Sequence, residues 1–576
     1  MRRLYIELLH VQHAISTKEP LLIGRDDSDD VLEKRRISSD LRFALKTYSP
    51  VIYKSASPCT SSMLKSIVLG SNHMNHVICQ LSDEWGEPAE TFRKKATMIL
   101  EEMADNLHLS AIRLLAFILS KVFKRVFRRI RVNTEGIERL KKALSDNPVV
   151  LLPNHRSYMD FLILSFVFYT YDLNIPVIAA RGLLEIKILS TILRRSGAFY
   201  IRREIGTNKL YWAVLSEYVK TMLRMGYAPI EFYVEGARSR SFKSLLPKLG
   251  LLNIVTDAFL KKEVADVTLV PISITYERPV DETLHAHDLL GLPKIKESMW
   301  ALFKARKILG QDFGTSSIHL GEPVSLKALV QGDVNLSQYN LDHRHIPHRP
   351  SQEIKAFLHH TGCRMIHLQE ENMVISPFVL VATILMQKLI CSISLHRNIV
   401  KIDNGKTMLV QEQQADSSTD KHLMQYAVTV LTCSMYRNQI LHIFVRPALA
   451  AMALSFTNKT QKEEIFICYS FLQDLFSSEF VFLPGNAKQD FEEACHRLSE
   501  WGAVQISKQN IELTETGPLV IFFILSIFQP FLEGYQLYSN CTFYTSTCFF
   551  VQVVWFSSLI SNDMHVKLVG HSKLAL

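Results

Sequence analysis

A histidine and an aspartate stand five residues apart where a short apolar run gives way to an apolar helix. His155 and Asp160 belong to the sequence Asn-His-Arg-Ser-Tyr-Met-Asp, which begins directly after Pro153. A turn between a strand and a helix brings such an aspartate back to one imidazole nitrogen and leaves the other nitrogen as a base. No serine or cysteine elbow of the Gly-x-Ser-x-Gly type accompanies the pair, so the expected nucleophile is a hydroxyl group of the substrate. The pattern predicts direct group transfer assisted by a general base.

Two arginine-rich segments follow at the ends of further apolar runs. They occupy residues 197–203 and 233–241, and Gly236 lies between an acidic residue and the arginines of the second segment. Guanidinium groups, together with the backbone N–H groups of a glycine turn, suit the binding of phosphate. Either segment alone is typical of a solvated loop, and one His-x4-Asp pair is expected by chance in a chain with 21 histidines. The three segments in order predict a base beside a phosphate anchor.

The elements that position these segments are predicted to form an α/β domain, a sheet flanked by helices. From about residue 146 short apolar runs alternate with helical segments, which is typical of that class. The predicted strands are residues 149–153, 175–180, 198–201, 230–234 and 267–275, with an amphipathic helix at 211–225. Ligand sites of open α/β sheets lie beyond the carboxyl ends of the strands, so the three segments are expected to meet at one edge.

The order of the motifs resembles that of the glycerolipid acyltransferase family. The four blocks are Asn-His-x4-Asp at 154–160, Gly-x-x-Phe-Ile-x-Arg at 197–203, Glu-Gly-x-Arg-Ser-Arg at 235–240 and Val-Pro-Ile at 270–272. The similarity extends from the N-terminal region to about residue 538. Around the second and third blocks the sequence looks closest to the members that acylate dihydroxyacetone phosphate.

The resemblance implies transfer of an acyl group from acyl-CoA to the 1-hydroxyl of dihydroxyacetone phosphate, which begins ether-lipid (plasmalogen) synthesis. In that reaction His155, held by Asp160, takes the proton of the attacking hydroxyl. The residues that the resemblance assigns to substrate binding are Arg203, Glu235, Gly236, Arg238, Ser239 and Arg240. Those assigned to the acyl path or to a structural role are Val270, Pro271 and Ile272. Neither a metal nor a redox cofactor is implied, and acyl-CoA serves as co-substrate.

Two other functions stay open at this point. A glycerol-3-phosphate acyltransferase is one, because its acceptor shares the phosphate and the primary hydroxyl group. The other is a catalytically impaired variant that acts as a lipid-binding or enzyme-binding module, because the similarity ends at about residue 538 and a replaced end disturbs packing. Ala237 also stands where many relatives have threonine or serine, which removes one hydroxyl group from the phosphate loop.

The organisation along the chain is expected to comprise four regions. Residues 1–130 form an N-terminal helical region, 131–330 the α/β domain, 331–538 a mainly helical domain and 539–576 a divergent tail. A basic amphipathic helix is predicted at 121–131, and such a helix binds an anionic membrane surface or packs on a core with its basic face solvated. We expect peripheral membrane association. The uncharged stretch 534–562 is long enough to span a bilayer, although its hydroxyl and amide groups weaken that reading.

The composition of the chain and its short motifs argue against nucleic-acid binding and against a zinc site. The net charge of +9 favours anionic partners, but no nucleic-acid-binding motif accompanies the basic stretches. Nine scattered cysteines without a Cys-x-x-Cys pair predict reduced thiols and no zinc site, and the histidines at 343–348 are a weak metal signal.

The expected location is the matrix face of the peroxisomal membrane, which the family resemblance implies. The resemblance also suggests a complex with alkyl-dihydroxyacetone phosphate synthase. The sequence Ser-Lys-Leu occurs at residues 572–574 and is followed by Ala575 and Leu576. The import receptor reads a terminal tripeptide, so import through this signal is expected to be impaired.

Overall fold

The computed structural model describes most of the chain as two compact units. The described residues are 28–181, 187–202, 208–292, 309–330, 350–395, 400–403, 406–409, 417–457 and 460–542. The first unit, called the α/β unit, comprises Leu21–Arg240 and Ser244–Ser376. The second, called the helical unit, comprises Met1–Pro20, Ser241–Lys243 and Pro377–Leu576.

A mixed, nine-stranded sheet forms the centre of the α/β unit. Its strands are β1 (Ser28–Asp30), β2 (Arg129–Asn133), β3 (Val149–Pro153), β4 (Val177–Arg181), β5 (Ala198–Ile201), β6 (Ile230–Glu231), β7 (Thr268–Tyr276), β8 (Thr315–Leu320) and β9 (Val324–Ser325). Their order is β1-β2-β8-β7-β3-β6-β4-β5, and β9 pairs with β7. The run from β7 to β5 is parallel, so the carboxyl ends of these strands share one edge. The predicted α/β class is confirmed.

Both faces of the sheet are covered, which explains the uninterrupted apolar sequence of β3. Val150 and Leu152 point into one hydrophobic core, whereas Val149 and Leu151 point into the core on the opposite face. Successive side chains of a strand alternate between its two faces, so a strand buried on both faces needs apolar residues throughout. The observed bounds of β3 and β5 match the prediction.

Helices cover the two faces of the sheet. Those of the α/β unit are α1 (Val31–Arg36), α2 (Asp40–Ala44), α3 (Ser61–Gly70), α4 (Asn72–Trp85), α5 (Ala89–Met103), α6 (Leu109–Val126), α7 (Thr134–Asp146), α8 (Asp160–Thr170), α9 (Lys187–Arg195), α10 (Lys209–Met225), α11 (Gly250–Leu260), α12 (Glu282–Leu289), α13 (Leu326–Val330) and α14 (Gln352–Glu371). Helix α10 shows how the sequence sets its limits. Asn208 Oδ1 accepts a hydrogen bond from the Tyr211 amide at 3.0 Å, and Gly226 ends the helix at φ 58°.

The basic amphipathic helix expected at residues 121–131 is correct only in its first half. Helix α6 ends at Val126, and Arg129–Asn133 form β2 instead. Ile130 and Val132 are both buried, with the period of two that a strand requires, and β2 pairs with β8. Ile130, four positions after Val126, therefore fits a helical pattern as well as a strand pattern. Its strand conformation follows from the pairing of β2 with β8.

The strand expected at residues 230–234 is shorter than predicted, because β6 ends at Glu231. The Phe232 amide still donates to the Leu151 carbonyl at 3.2 Å, but the Val234 carbonyl accepts from the Lys248 amide at 2.7 Å. Gly236 then turns the chain at φ 69°. The arginine-rich loop consequently begins nearer the middle of the sheet than the sequence suggested.

The boundary between the two units also differs from the expected one at residue 331, because α14 belongs to the α/β unit. The Gln369 side chain of this helix donates to the Leu152 carbonyl at 2.7 Å, and the Ser273 hydroxyl donates to the Gln369 carbonyl. These buried hydrogen bonds attach α14 to β3 and β7. The helical unit resumes only at Pro377.

The helical unit consists mainly of helices, as expected for this part of the chain. They are α15 (Pro377–Leu395), α16 (Ser417–Asn438), α17 (Leu441–Thr457), α18 (Lys462–Leu475), α19 (Ala487–Glu500) and α20 (Gly517–Thr542). Two short hairpins accompany them: β10 (Val400–Asp403) with β11 (Lys406–Leu409), and β12 (Val504–Ile506) with β13 (Ile511–Leu513).

One helical segment among the described residues, Gly517–Tyr535, is long and apolar enough to cross a bilayer. Within that stretch 44% of the residues are buried. The bent pair Met424–Asn438 and Leu441–Thr457 passes the same test only if it counts as one broken span. Most of the uncharged stretch expected at 534–562 lies outside the described residues, as does the tail beyond it.

Candidate active site

The loop that carries the predicted catalytic pair begins at the carboxyl end of β3, in the parallel part of the sheet. Pro153, the last residue of β3, is paired with Ile272 of β7. Asn154 follows and bridges to β7: its Oδ1 accepts from the Ile274 amide at 2.7 Å and its Nδ2 donates to the Ile274 carbonyl at 3.1 Å. The start of the loop is thereby fixed one residue before His155.

His155 and Asp160 form the predicted pair. His155 Nδ1 lies 2.8 Å from Asp160 Oδ2. Asp160 is the first residue of α8, where the helix dipole favours negative charge, and its side chain is fully buried. The His155 side chain remains 20% exposed, and its Nε2 has no hydrogen-bond partner among the described residues. That nitrogen is the one available to a substrate.

Three further donors hold the Asp160 carboxylate. The amides of Arg156 and Ser157 donate to Oδ2 at 2.8 and 2.9 Å, and the Tyr276 hydroxyl donates to Oδ1 at 2.6 Å. A carboxylate only accepts hydrogen bonds, so His155 Nδ1 carries the proton in this pair and Nε2 carries the lone pair. The arrangement therefore selects the tautomer in which Nε2 is able to accept a proton.

A neutral surface lies against the imidazole ring. Tyr233 stacks on His155 with the ring centres 3.9 Å apart and the planes 19° from parallel. The Tyr233 hydroxyl donates to Glu231 Oε1 at 3.4 Å. Burial, and then the nearby charge of Asp160, raise the pKa of Glu231 to about 8. Burial is also the largest cause that raises the pKa of Tyr233 well above its ordinary value, so both groups are uncharged at neutral pH.

Glu235 binds protein groups, which differs from the substrate contact expected for it. Its carboxylate accepts from Arg156 Nη1 at 2.8 and 3.0 Å, from the His155 amide at 3.2 Å and from the Leu245 amide at 2.9 Å. The side chains of Glu235 and Arg156 are 0% and 6% exposed. Because the buried carboxylate is occupied by these donors, Glu235 positions the His155 loop and the arginine-rich loop relative to each other. Arg156 is a partner that the sequence analysis missed.

The arginine-rich loop runs directly beside His155. The Ser239 amide donates to the His155 carbonyl at 3.0 Å, and Ser239 itself is buried. Gly236 adopts φ 69°, and a Cβ atom at this position would lie 2.5 Å from Cγ of Lys248. The left-handed turn and the close approach both require glycine.

Two of the expected phosphate ligands lie on this loop with different degrees of exposure. The Arg238 side chain is 11% exposed, and its Cζ lies 3.4 Å from the centre of the Tyr158 ring. The Arg240 side chain is 44% exposed, and its Nε lies 3.2 Å from Asp288 Oδ2. Arg203, the third expected arginine, lies outside the described residues.

Asp281 connects the catalytic loop to the arginine-rich loop and was not predicted. Its Oδ1 accepts from the Ser157 hydroxyl at 2.8 Å, and its Oδ2 accepts from the Tyr158 amide at 3.1 Å and from Arg238 Nη1 at 3.0 Å. In the sequence Asp281 directly precedes helix α12, where an acidic residue is an ordinary helix cap. Nothing local therefore marked it as part of a site.

The Val-Pro-Ile block has a structural position. Val270, Pro271 and Ile272 lie in the middle of β7, a strand that is buried throughout, and pair with Leu151, Leu152 and Pro153 of β3. The side chains of Val270 and Ile272 belong to a hydrophobic core of the sheet. The block supports the strand from which the catalytic loop departs.

Metal ligation has no candidate within the described ranges, where no three His, Cys, Asp or Glu residues are grouped to hold an ion. The histidines at 343–348 lie outside those ranges.

Comparisons with known proteins agree with the order of the motifs. Residues 131–275, which contain His155 and the arginine-rich loop, match the Acyltransferase family. Residues 285–396 and 394–547 match the family described as glycerol-3-phosphate acyltransferase C-terminal region. The dihydroxyacetone phosphate acyltransferase of Bos taurus is 45% identical over 92% of this chain and 85% of its own length. The chain belongs to the dihydroxyacetone phosphate acyltransferase family.

Further relatives support this membership. The dihydroxyacetone phosphate acyltransferase of Homo sapiens is 46% identical over 89% of this chain and 81% of its own length. The glycerol-3-phosphate acyltransferase of Pseudomonas syringae pv. syringae (strain B728a) is 30% identical over 70% of this chain and 51% of its own length. The family resemblance stated from the motifs is confirmed, and the greater similarity is to the dihydroxyacetone phosphate members.

Proposed function

We propose that this chain transfers the acyl group of a long-chain acyl-CoA to the 1-hydroxyl of dihydroxyacetone phosphate. The observation that carries the proposal is the 2.8 Å contact between His155 Nδ1 and Asp160 Oδ2, which leaves Nε2 available next to an arginine-rich loop. The family members of this name, 45% identical over most of the chain, support the same acceptor.

The reaction follows from the tautomer that Asp160 selects. His155 Nε2 takes the proton of the acceptor hydroxyl while that oxygen forms a bond to the thioester carbonyl carbon. Asp160 stabilises the imidazolium through the Nδ1 hydrogen bond. The tetrahedral intermediate then collapses, the carbon–sulfur bond breaks, and the departing CoA sulfur takes the proton back from Nε2. This balanced cycle yields acyl-dihydroxyacetone phosphate and free CoA without a redox or metal cofactor.

The acceptor phosphate is proposed to bind Arg238 and Arg240, with Arg203 as a third ligand. Asp281 contacts Nη1 of Arg238, so the guanidinium is oriented while other N–H groups remain for phosphate oxygens. A phosphate held there fixes the distance of the primary hydroxyl from His155, and such positioning can contribute about 7 to 11 kcal/mol to lowering the barrier.

The test is acyl transfer from palmitoyl-CoA to dihydroxyacetone phosphate by the full chain and by His155→Ala. Loss of the general base should lower kcat by about 10² to 10⁴-fold. His496→Ala is the matched control, because His496 is also paired with a carboxylate, Glu500, at 3.8 Å, but is 72% exposed. The control should retain full activity. Equal activity in wild type and His155→Ala, with unchanged melting temperatures, would overturn the mechanism.

Glycerol 3-phosphate is the second candidate acceptor. The match of residues 285–547 to the glycerol-3-phosphate acyltransferase C-terminal region favours it, and the chain spans about half the length of those bacterial relatives. Competition between the two acceptors in one reaction distinguishes the candidates. Turnover of glycerol 3-phosphate alone would assign the chain to that activity, and turnover of neither by a folded sample would indicate an impaired variant.

A peroxisomal, matrix-facing location and a complex with alkyl-dihydroxyacetone phosphate synthase are further parts of the proposal. Both rest on the family resemblance. Imaging the full chain beside a chain that ends at Leu574 tests whether the Ser-Lys-Leu sequence directs import, and co-purification of the two full enzymes tests the complex. A diffuse signal from both chains would contradict the location.

A further inference from the structure

Two neighbouring helices of the α/β unit carry exposed apolar side chains. On α2 and its flanks, Ile37, Leu41 and Leu45 are 88%, 57% and 60% exposed. On α6, Leu114 and Ile118 are 49% and 43% exposed. Leu41 and Leu45 are four residues apart, as are Leu114 and Ile118, so each pair lies along one side of its helix, whereas Ile37 precedes α2. The five residues together are called the α2–α6 surface.

Helices α2 and α6 are neighbours that pack in antiparallel directions. Asp40, at the start of α2, accepts hydrogen bonds from Ser120 at 2.7 Å and from Lys124 at 2.6 Å, near the end of α6. Beyond the other end of α2, the Lys46 carbonyl accepts from Arg113 at 3.4 Å. The chain directions of α2 and α6 are therefore opposite.

Both helices turn other residues toward the core. Phe43 of α2 is buried and packs edge-on against Phe166, and Phe123 of α6 packs against the same ring. Leu41 and Leu45 on one helix, and the exposed residues of the other, point away from this core. The α2–α6 surface is thus an outward-facing apolar strip.

Basic residues outnumber acidic ones along the two helices, although Lys34, Lys46 and Arg128 are paired with Asp29, Asp172 and Asp312 of other segments. Residues 34–47 and 109–129 contain eleven lysines and arginines and one acidic residue, Asp40, which is paired with Lys124. Arg42, Lys121 and Arg125 are exposed beside the strip. Lys121 extends over the Phe117 ring, with its Nζ 4.7 Å from the ring centre. Apolar tips flanked by long basic side chains are the composition of a segment that lies in a membrane interface.

We propose that the α2–α6 surface docks this protein on an anionic lipid membrane. The leucine and isoleucine side chains enter the boundary of the acyl chains, while the basic side chains contact lipid phosphates. The proposal keeps the helical part of the segment at 121–131 that the sequence suggested for this purpose, and it adds the rest of α6 and α2. The biological purpose rests on the proposed function, because long-chain acyl-CoA and its lipid product partition into bilayers. The charge pattern favours lipid over a neutral protein partner.

The test is partition of the full chain onto vesicles of phosphatidylcholine, with and without phosphatidylserine. Leu41→Ser/Leu45→Ser/Ile118→Ser should lower binding to the mixed vesicles by at least about ten-fold, because the apolar insertion is lost. Lys121→Glu/Arg125→Glu should remove most of the preference for phosphatidylserine. The matched control Trp85→Ser/Met98→Ser removes two side chains that are 71% and 72% exposed elsewhere, and it should bind as wild type does.

Unchanged melting temperatures and unchanged turnover of octanoyl-CoA establish that the variants are folded. Vesicle binding equal to that of wild type in the triple variant would overturn the proposal and would move the membrane contact elsewhere, for example to α20. Binding of wild type that is indifferent to phosphatidylserine would also overturn it. Loss of vesicle binding in a protein that is inactive on every acceptor would support the surface while rejecting the proposed function.

Discussion

Tyr276 and Asp160 join the last residue of β7 to the first residue of α8 through a hydrogen bond of 2.6 Å from the Tyr276 hydroxyl to Asp160 Oδ1. Burial, and then the charge of Asp160, raise the pKa of Tyr276 well above its ordinary value, so the phenol is a permanent donor. The other oxygen of the same carboxylate holds His155. Tyr276 is therefore a positioning residue for the catalytic pair.

Replacing Tyr276 with phenylalanine should lower kcat about ten-fold to a hundred-fold, because a hydrogen bond to a charged group contributes roughly 1.5 to 3 kcal/mol. The KM for dihydroxyacetone phosphate should change little, since the arginine-rich loop keeps its contacts. Steady-state kinetics with both substrates varied separates the two constants.

Tyr218→Phe is the matched control for this substitution. The Tyr218 hydroxyl donates to Asp105 Oδ1 at 2.6 Å, so the same kind of buried pair is broken at a place outside the site. We expect a lower melting temperature and an unchanged kcat. If both variants lose kcat in proportion to their loss of stability, Tyr276 has only a structural role.

Asp281→Asn should weaken acceptor binding more than it slows the chemical step. The substitution removes the charge that faces Arg238 at 3.0 Å, whereas the pair of His155 and Asp160 keeps its own contacts. We expect the KM for dihydroxyacetone phosphate to rise about ten-fold, the effect of roughly 1.4 kcal/mol. Asp288→Asn, beside the more exposed Arg240, should have a smaller effect, because exposed ion pairs contribute about 0 to 1 kcal/mol. Equal effects of both variants would contradict the role of Asp281.

The parts of this site that the sequence predicted are those in which local pattern and final position coincide. His155 and Asp160 are separated by one turn of chain, and β3 is buried on both faces, so its apolar run is unambiguous. Tyr276 and Asp281 reach the same loop from 116 and 124 residues away. The periodicity of the sequence does not predict these long-range contacts, because they depend on which strands become neighbours in the sheet.

The errors in element bounds have the same origin. Ile130 fits both a helix and a strand, and pairing of β2 with β8 selects the strand. The family resemblance assigned Glu235 to substrate binding, whereas its buried carboxylate accepts hydrogen bonds from Arg156 within the protein. A side chain of a short motif can thus stabilise its own loop instead of binding a ligand. Its contacts in the folded structure distinguish the two roles.

The buried Glu231 should make the stability of the α/β unit fall as pH rises. In the folded protein its pKa is raised from 4.5 to about 8, so the folded chain retains a proton that the unfolded chain releases between these values. Each pH unit in that window then costs about 1.4 kcal/mol of stability. Glu231→Gln should melt at the same temperature as wild type at or below pH 4.5 and at increasingly higher temperatures up to pH 8.

Glu217→Gln is the control for the pH experiment. Glu217 is a buried carboxylate paired with Arg224 at 2.5 Å, so its substitution should lower the melting temperature through loss of the ion pair. Melting temperatures of the three proteins from pH 4.5 to 8 provide the comparison. A slope for Glu231→Gln as steep as that of wild type would mean that Glu231 is ionised in the folded protein.

Gly236→Ala should damage the proposed phosphate site more than it damages the fold. Its φ of 69° disfavours any residue with a Cβ atom by about 1 to 2 kcal/mol, and that atom would lie 2.5 Å from Cγ and 2.9 Å from Cβ of Lys248. The loop must shift to relieve this approach, which moves Arg238 away from its present position. We expect the KM for dihydroxyacetone phosphate to rise about ten-fold or more, as the loss of roughly 1.4 kcal/mol of binding would produce.

Gly485→Ala separates backbone strain from displacement of the phosphate loop. Gly485 has φ 83°, but no atom lies within 4 Å of a Cβ placed there, and it belongs to the helical unit. Its substitution should therefore lower the melting temperature while leaving the KM unchanged. Isothermal titration calorimetry of both variants with dihydroxyacetone phosphate measures the binding affinity directly and complements the kinetics. Wild-type affinity in Gly236→Ala would show that the turn does not shape the acceptor site, and the phosphate would then have to bind elsewhere than at Arg238 and Arg240.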